Sequence, residues 1–188
     1  MLRIAAPRLP LAALALALLA GCAGSGPAPL QPLDRRIDLE RFMGDWYVIG
    51  FIPIELPFFS EAGAHNAVES YRLGEEGRIE TTYTFRDGGF DGPEKRFTPV
   101  GWVHDETTRT EWRMQFVWPF RSAYLIAWVD PDYQRTLIGV PDRGNVWIMS
   151  RTPDVDDAEY QALLDRAAAL GYDLAKIQRV PHRWPEGG

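Results

Sequence analysis

The 188-residue chain is 46% hydrophobic, carries a formal charge of −6 and contains one cysteine. An acidic chain argues against the broad basic surface that nucleic acid or anionic lipid requires, and a single thiol excludes an internal disulfide framework. This length and apolar content support one ordinary domain with a sizeable core.

In chain order, Arg3 and Arg8 stand around the start of an apolar run over residues 9–19, the pattern of a secretory signal peptide. At 1.5 Å per helical residue that run covers about 16 Å, half of the roughly 30 Å hydrocarbon layer, so it is too short for a permanent span. "LAGC", Leu19 to Cys22, follows directly and resembles the bacterial lipobox. That resemblance implies cleavage before Cys22 and acylation of its thiol and of the new amino terminus. Ala23, standing where an Asp would imply retention in the inner membrane, implies outer-membrane residence. More than one acyl chain anchors firmly, at about 0.8 kcal/mol per buried methylene. The chain thus divides into a signal peptide at 1–21, lipidated Cys22 with a Gly-, Ser- and Pro-rich flexible tether at 22–37, and a folded domain at 38–188.

Asp38 is placed to cap a single helical turn, "LERFM", ahead of Gly44. In "GDWYVIG", residues 44–50, Gly44 suggests a tight backbone conformation and Trp46 a large ring at one end of a core. "WYVIGF" is the first of about eight strand-like runs. The others are "NAVESYRL", "GRIETTYTFRDGG", "TPVGWVHDE", "TEWRMQFVW", "SAYLIAWVD", "RTLIGVP" and "NVWIMSR", separated by Gly, Asp, Asn or Pro clusters. In the third, Ile79, Thr81, Tyr83 and Phe85 share one face, while Glu80, Thr82, Thr84 and Arg86 share the other. Between the first two runs, Pro53 and Pro57 interrupt "FIPIELPFFSEAG", whose Phe51, Ile52, Ile54, Phe58 and Phe59 form either an exposed apolar patch or a folded lid. Eight sequential strands with short connections predict an all-β fold, an antiparallel up-and-down barrel wide enough for one small ligand. After Arg151 the period changes. Tyr160, Leu163, Leu164, Ala167 and Leu170, ahead of Gly171, predict one C-terminal α-helix of about three turns packed on the barrel wall.

Three separated motifs are similar to those of the lipocalin family: "GDWY" at the first strand, "VDPDYQRTLIG" at a later hairpin and "WIMSRTP" at the last strand, with the helix after them. The likeness covers about residues 38–180, and is strongest to the bacterial outer-membrane lipocalins and their animal relative apolipoprotein D. It implies a structural plug at the closed barrel end, with Arg151 lying over the ring of Trp46; a desolvated pair of this kind contributes about 2 kcal/mol. It also implies a ligand pocket at Tyr71, Tyr83, Tyr124 and Trp147, with Met114 and Phe116 adding apolar wall. Aromatic walls with a few hydroxyls suit an acyl chain with a polar head, and simple core filling is the alternative for each residue. Glu69 shares the face of Tyr71 if its strand is regular, and then either meets a head group or is turned outward by a bulge.

The function implied is binding, storage or transport of a small hydrophobic ligand, a fatty acid or lysophospholipid, for cell-envelope maintenance. The carrier is a lipoprotein anchored in the outer membrane through Cys22 and facing the periplasm, with no nucleic-acid partner and no cofactor or metal; whether two copies pair stays open. His65, His104 and His182 show no metal-ligand spacing, and the chain has no nucleophile elbow or phosphate loop, so no enzymatic activity is expected. The alternative is a haem or bilin-type tetrapyrrole carrier with His65 or His104 as axial ligand.

Overall fold

Each of the eight expected runs folds as a strand: residues 78–87 alternate buried and half-buried side chains, whereas residues 135–139 and 146–150 are buried at nearly every position because the C-terminal helix covers their outer face. The computed structural model describes residues 27–57 and 59–185. Its strands are β1 (Gly44–Ile52), β2 (Glu55–Leu56), β3 (Phe59–Ser60), β4 (Ala64–Leu73), β5 (Arg78–Asp87), β6 (Glu94–Phe97), β7 (Val100–Val103), β8 (Glu111–Val117), β9 (Phe120–Val129), β10 (Arg135–Gly139), β11 (Val146–Ser150) and β12 (Gln178–Arg179). Consecutive strands pair antiparallel from β4 to β11, and β1 pairs with both β4 and β11, which closes the sheet. β6 and β7 both pair with β5 and together make one stave, broken at Thr98 and Pro99, so the barrel has eight staves. The first half of that stave, β6, was not legible as a strand because "EKRF" is almost wholly exposed and shows no alternation.

Two apolar layers result. Inside the barrel, Val48 and Phe51 of β1 pack with Ile79, Tyr83 and Phe85 of β5, Trp112 and Met114 of β8, and Trp147 and Met149 of β11. Outside, α2 (Asp157–Ala169) lays Tyr160, Leu163 and Ala167 on the outward residues Ile49, Leu125, Leu137 and Ile148. Asp156 caps this helix by accepting from the Glu159 backbone N–H at 2.8 Å. The single turn expected before Gly44 is α1 (Leu39–Phe42), with Asp38 as its cap.

Residues 27–37, read from composition as part of a flexible tether, instead lie along the barrel. Their backbone N–H groups reach three successive levels of it: Leu30 to the Pro141 carbonyl at 2.8 Å, Leu33 to that of Ile126 and Ile37 to that of Thr108, both at 2.9 Å. The reason is the apolar punctuation of a polar stretch: Leu30 and Ile37 are both buried, Leu30 against Tyr172 of the outer layer and Ile37 against the inner one. Gly139 makes room for this contact, since a Cβ there would stand 2.0 Å from Tyr172 Oη and 2.6 Å from Leu30. In an up-and-down barrel alternate connections share one end. The connections at 53–63, 88–93, 118–119 and 140–145 therefore surround one mouth, and the chain comes in beside that mouth at Leu30 and passes to the other end at Ile37. The segment expected to be a signal peptide and the expected lipidation site Cys22 lie outside the described residues, as does Phe58.

Candidate functional site

At the end where β1 begins, α1 lies beneath Trp46. The indole is fully buried and its Nε1 donates to the Phe42 carbonyl at 2.9 Å. The Arg151 guanidinium sits over the ring, with its central carbon 3.7 Å from the centroid. Arg151 Nη2 donates to the carbonyls of Arg41, Phe42 and Met43 at 2.8–3.0 Å, and Nη1 donates to that of Asp45 at 2.7 Å. One side chain thus satisfies the carbonyls that a one-turn helix leaves over. Burial lowers its pKa to about 10, which leaves it charged at any physiological pH. Gly44 holds φ at +92°, a left-handed conformation in which the chain turns from α1 into β1 under Arg151. These contacts stop up one end.

Above this plug, the residues expected to line a pocket come together with one exception. Tyr71, Tyr83, Met114, Tyr124 and Trp147 are all buried in the inner layer. Tyr124 stands at the centre, its ring stacked on Trp112 at 5.9 Å and tilted on Trp147 at 5.7 Å. Phe116 is the exception and is a correction: it is 46% exposed. It continues the inward alternation of Trp112 and Met114, but the β8–β9 pairing shifts register between Met114 and Val117, and the hairpin runs on past the rim, where no opposite wall covers it. The same hairpin exposes Trp118 (81%) and Phe120 (73%), which carry no sequence signal of their own.

The segment between β1 and β4 folds inward. Ile54 and Phe59 pack on the inner layer, and Phe59 meets Phe97 edge-on at 4.7 Å. Glu61, only 2% exposed, accepts from the Ile54 backbone N–H at 2.8 Å, which pins this segment across the mouth. Sequence reasoning missed Glu61, since it lies in an irregular loop with no period to reveal its direction.

Glu69 is unambiguous in the structure. Its pairing is regular, with Trp46 on one side and Tyr83 on the other, so no bulge turns it outward. Its carboxyl, 4% exposed, accepts from Tyr124 Oη at 3.0 Å, and Tyr124 Oη in turn shares a very short hydrogen bond with Tyr71 Oη. Burial pushes the pKa of both acids up to about 7, against the pull of their hydrogen bonds, and for Glu69 the negative charge of Glu61 adds to the rise. Burial also raises Tyr71, Tyr83 and Tyr124 well above the ordinary tyrosine range, so all three stay hydroxyls. Tyr83 leans toward Glu61 without closing a hydrogen bond, and its Oη and Thr81 Oγ1 are buried without a partner.

The histidines stand elsewhere. His104 is exposed, His65 is half-buried against Phe90, and His182 has Nε2 at 2.9 Å from the Val48 carbonyl and Nδ1 accepting from the Trp184 indole at 3.1 Å. An outer cleft of about 360 Å³ opens between Ile49, Val155, Tyr160, Arg179 and His182, but its basic groups are already engaged, Arg179 with Asp157 and His182 with Val48.

The profile of a lipocalin-like domain matches residues 37–182. The chain is 30% identical over 182 residues to the outer membrane lipoprotein Blc of Escherichia coli K12, covering 90% of this chain and 94% of that one. It is 28% identical over 156 residues to temperature-induced lipocalin-1 of Arabidopsis thaliana, covering 77% and 79%. Among solved structures, the cockroach allergen Per a 4 superposes with a TM-score of 0.58 at 19% identity, over 84% of this chain and 96% of that chain, a likeness of fold. With a closed eight-stranded barrel, a helix on its outer wall and these matches across most of its length, the chain belongs to the lipocalin family.

Proposed function

We propose that this lipocalin is an outer-membrane lipoprotein that binds a single-chained amphiphile, of the fatty-acid or lysophospholipid kind, inside its barrel. The observation that carries the reading is the interior itself: one end stopped by Trp46 and Arg151, walls of Tyr83, Met114, Tyr124 and Trp147, and a small set of hydroxyls and carboxyls among them. Such a site suits an apolar body with one directing group. A chain of about fourteen methylenes at ~0.8 kcal/mol each offers on the order of 11 kcal/mol before the losses of ordering and association, enough for micromolar affinity. Titration with lysophosphatidylethanolamine should change the indole emission, and Trp147→Phe should remove most of that change. An emission titration curve that is the same in Trp147→Phe as in the unaltered protein would count against a ligand inside the barrel.

Anchoring through Cys22 at the outer membrane is part of the same proposal, supported by the lipobox-like "LAGC" and by the relative named an outer membrane lipoprotein. Two observations favour a particular orientation, with the mouth toward the bilayer. The chain meets the barrel at the mouth, where Arg143 Nη1 donates to the Ala28 carbonyl, and the five residue-to-residue steps from Cys22 to Pro27 reach at most about 18 Å. The aromatic hairpin of Trp118 and Phe120 projects from that same end.

A further inference from the structure

The polar groups inside the barrel are of one electrical kind. Among the described residues, the buried charged side chains are Glu61 and Glu69, and no buried side chain is basic. Glu61 comes from the segment across the mouth and faces Trp147 of β11 and Tyr83 of β5; Glu69 comes from β4 and faces Tyr124 of β9 and Tyr71 of β4. Tyr83 stands directly opposite Glu69 in the β4–β5 pairing, its hydroxyl is buried without a hydrogen-bond partner, and it senses the charge of both acids. Arg151, the cation beyond Tyr71, is committed to the four carbonyls of the plug.

A carboxylate head brought to this place meets two acids and no free cation. A protonated amine meets acceptors and aromatic faces. Its three N–H donors can go to Glu61, Glu69 and the open acceptor lone pairs of Tyr83 Oη, and the faces of Tyr83, Tyr124 and Trp147 stabilise a desolvated ammonium further. The two acids also need such a counter-ion themselves, because a buried carboxylate without an opposite charge is costly.

We infer that the interior of this barrel selects an amphipathic organic amine, with its ammonium group held between Glu61 and Glu69 at Tyr83, over a fatty-acid anion of the same chain length. The inference rests on the reading that a single-chained amphiphile lies inside the barrel, and it favours an ammonium head over the fatty-acid carboxylate named there.

The test uses three probes of equal chain length, decylamine, decanoate and decanol, titrated below their aggregation limits into the full chain carrying Cys22→Ser. Indole emission and calorimetry are the readouts. At about pH 8, where acids titrating near 7 are largely ionised, the amine should bind about tenfold or more tightly than decanoate, with decanol between them. Lowering the pH to about 5.5 should weaken the amine and strengthen the acid, bringing the two affinities together. Glu61→Gln with Glu69→Gln should bring the amine to within about threefold of decanol at either pH. Decanoate binding as tightly as the amine at the higher pH, or an amine advantage untouched by the double substitution, overturns the inference. The first comparison needs no change to the interior, so a misfolded variant cannot shelter the idea. Decanol binding without amine preference sinks this inference alone, whereas none of the three probes altering the Trp147 emission sinks the barrel-ligand reading with it.

Discussion

Glu61 and Glu69 make the stability of this protein fall with rising pH, in a range where many domains are near their plateau. Each acid titrates near 7 in the folded protein against 4.5 for an ordinary glutamate, with burial as the main cause. The folded state therefore holds these protons more tightly than the unfolded chain does. Their favourable contribution is complete below about pH 4.5 and is lost as pH rises through about 7. The gap between 4.5 and about 7 corresponds to about 3 kcal/mol for each acid, and somewhat less than twice that for the pair because they sense one another. Glu69→Gln keeps the shape, can still accept from Tyr124 Oη and cannot ionise. Relative to the unaltered protein, it should gain about 3 kcal/mol at about pH 8, a rise of roughly 6–12 °C in Tm for a domain of this size, and gain little at about pH 4.5. Calorimetric melts of the unaltered protein, Glu61→Gln, Glu69→Gln and the double variant across this range provide the measurement. His182 works in the opposite direction: its pKa is lowered by burial, so its contribution is present above about 6.5 and lost as pH falls. The difference between variant and unaltered protein cancels that contribution, since His182 is common to both. A difference in Tm that is the same at both ends of the range would refute the account of these carboxyls as buried acids that resist ionisation.

The plug and the mouth give further expectations. Trp46→Ala removes a fully buried indole and should cost about 3–5 kcal/mol, while Arg151→Lys, which keeps a charge but cannot span four carbonyls, should cost less than this yet lower the Tm measurably; an unchanged melt for Trp46→Ala would contradict its place in the core. Cys22→Ser should release the protein from the outer-membrane fraction, and persistence there through a high-salt wash would count against acyl anchoring. In that released form, Trp118→Ser with Phe120→Ser should weaken sedimentation with phosphatidylethanolamine vesicles several-fold without lowering the Tm, because both rings are exposed and their truncation opens no cavity.

What is legible in the sequence follows from which physical signals are local. Period-two alternation reports a wall with an inside and an outside, so Ile79, Thr81, Tyr83 and Phe85 fall on one face by their spacing alone, and all four are buried. The helix is equally legible, because Tyr160, Leu163 and Ala167 recur at helical spacing and meet the outer wall. Alternation says nothing about where a wall ends. Phe116 obeys the inward pattern and is still exposed, because its hairpin overshoots the rim. Composition fails in a similar way at residues 27–37. Proline and polar residues dominate the average there and suggest a loose linker, yet Leu30, between Pro29 and Gln31, and Ile37, between Arg36 and Asp38, each find a buried seat.

The acids are the hardest to place, and the reason connects stability with function. A glutamate in an inward position contradicts the expectation that cores are apolar, so sequence reasoning could assign Glu69 to the interior or invoke a bulge with equal right, and it had no handle on Glu61 at all. The structure puts both inside, with a hydroxyl at Tyr83 left over beside them. Neutral carboxyls in a barrel cost little; ionised ones at about pH 8 remove several kcal/mol. A ligand that supplies a positive charge between them would restore that loss on binding, so the same two side chains that weaken the empty barrel as pH rises would strengthen its hold on an amine over the same interval. Destabilisation of the free protein and selectivity for its ligand are then two readings of one electrostatic arrangement, and the melting and titration series must move together if that arrangement is described correctly.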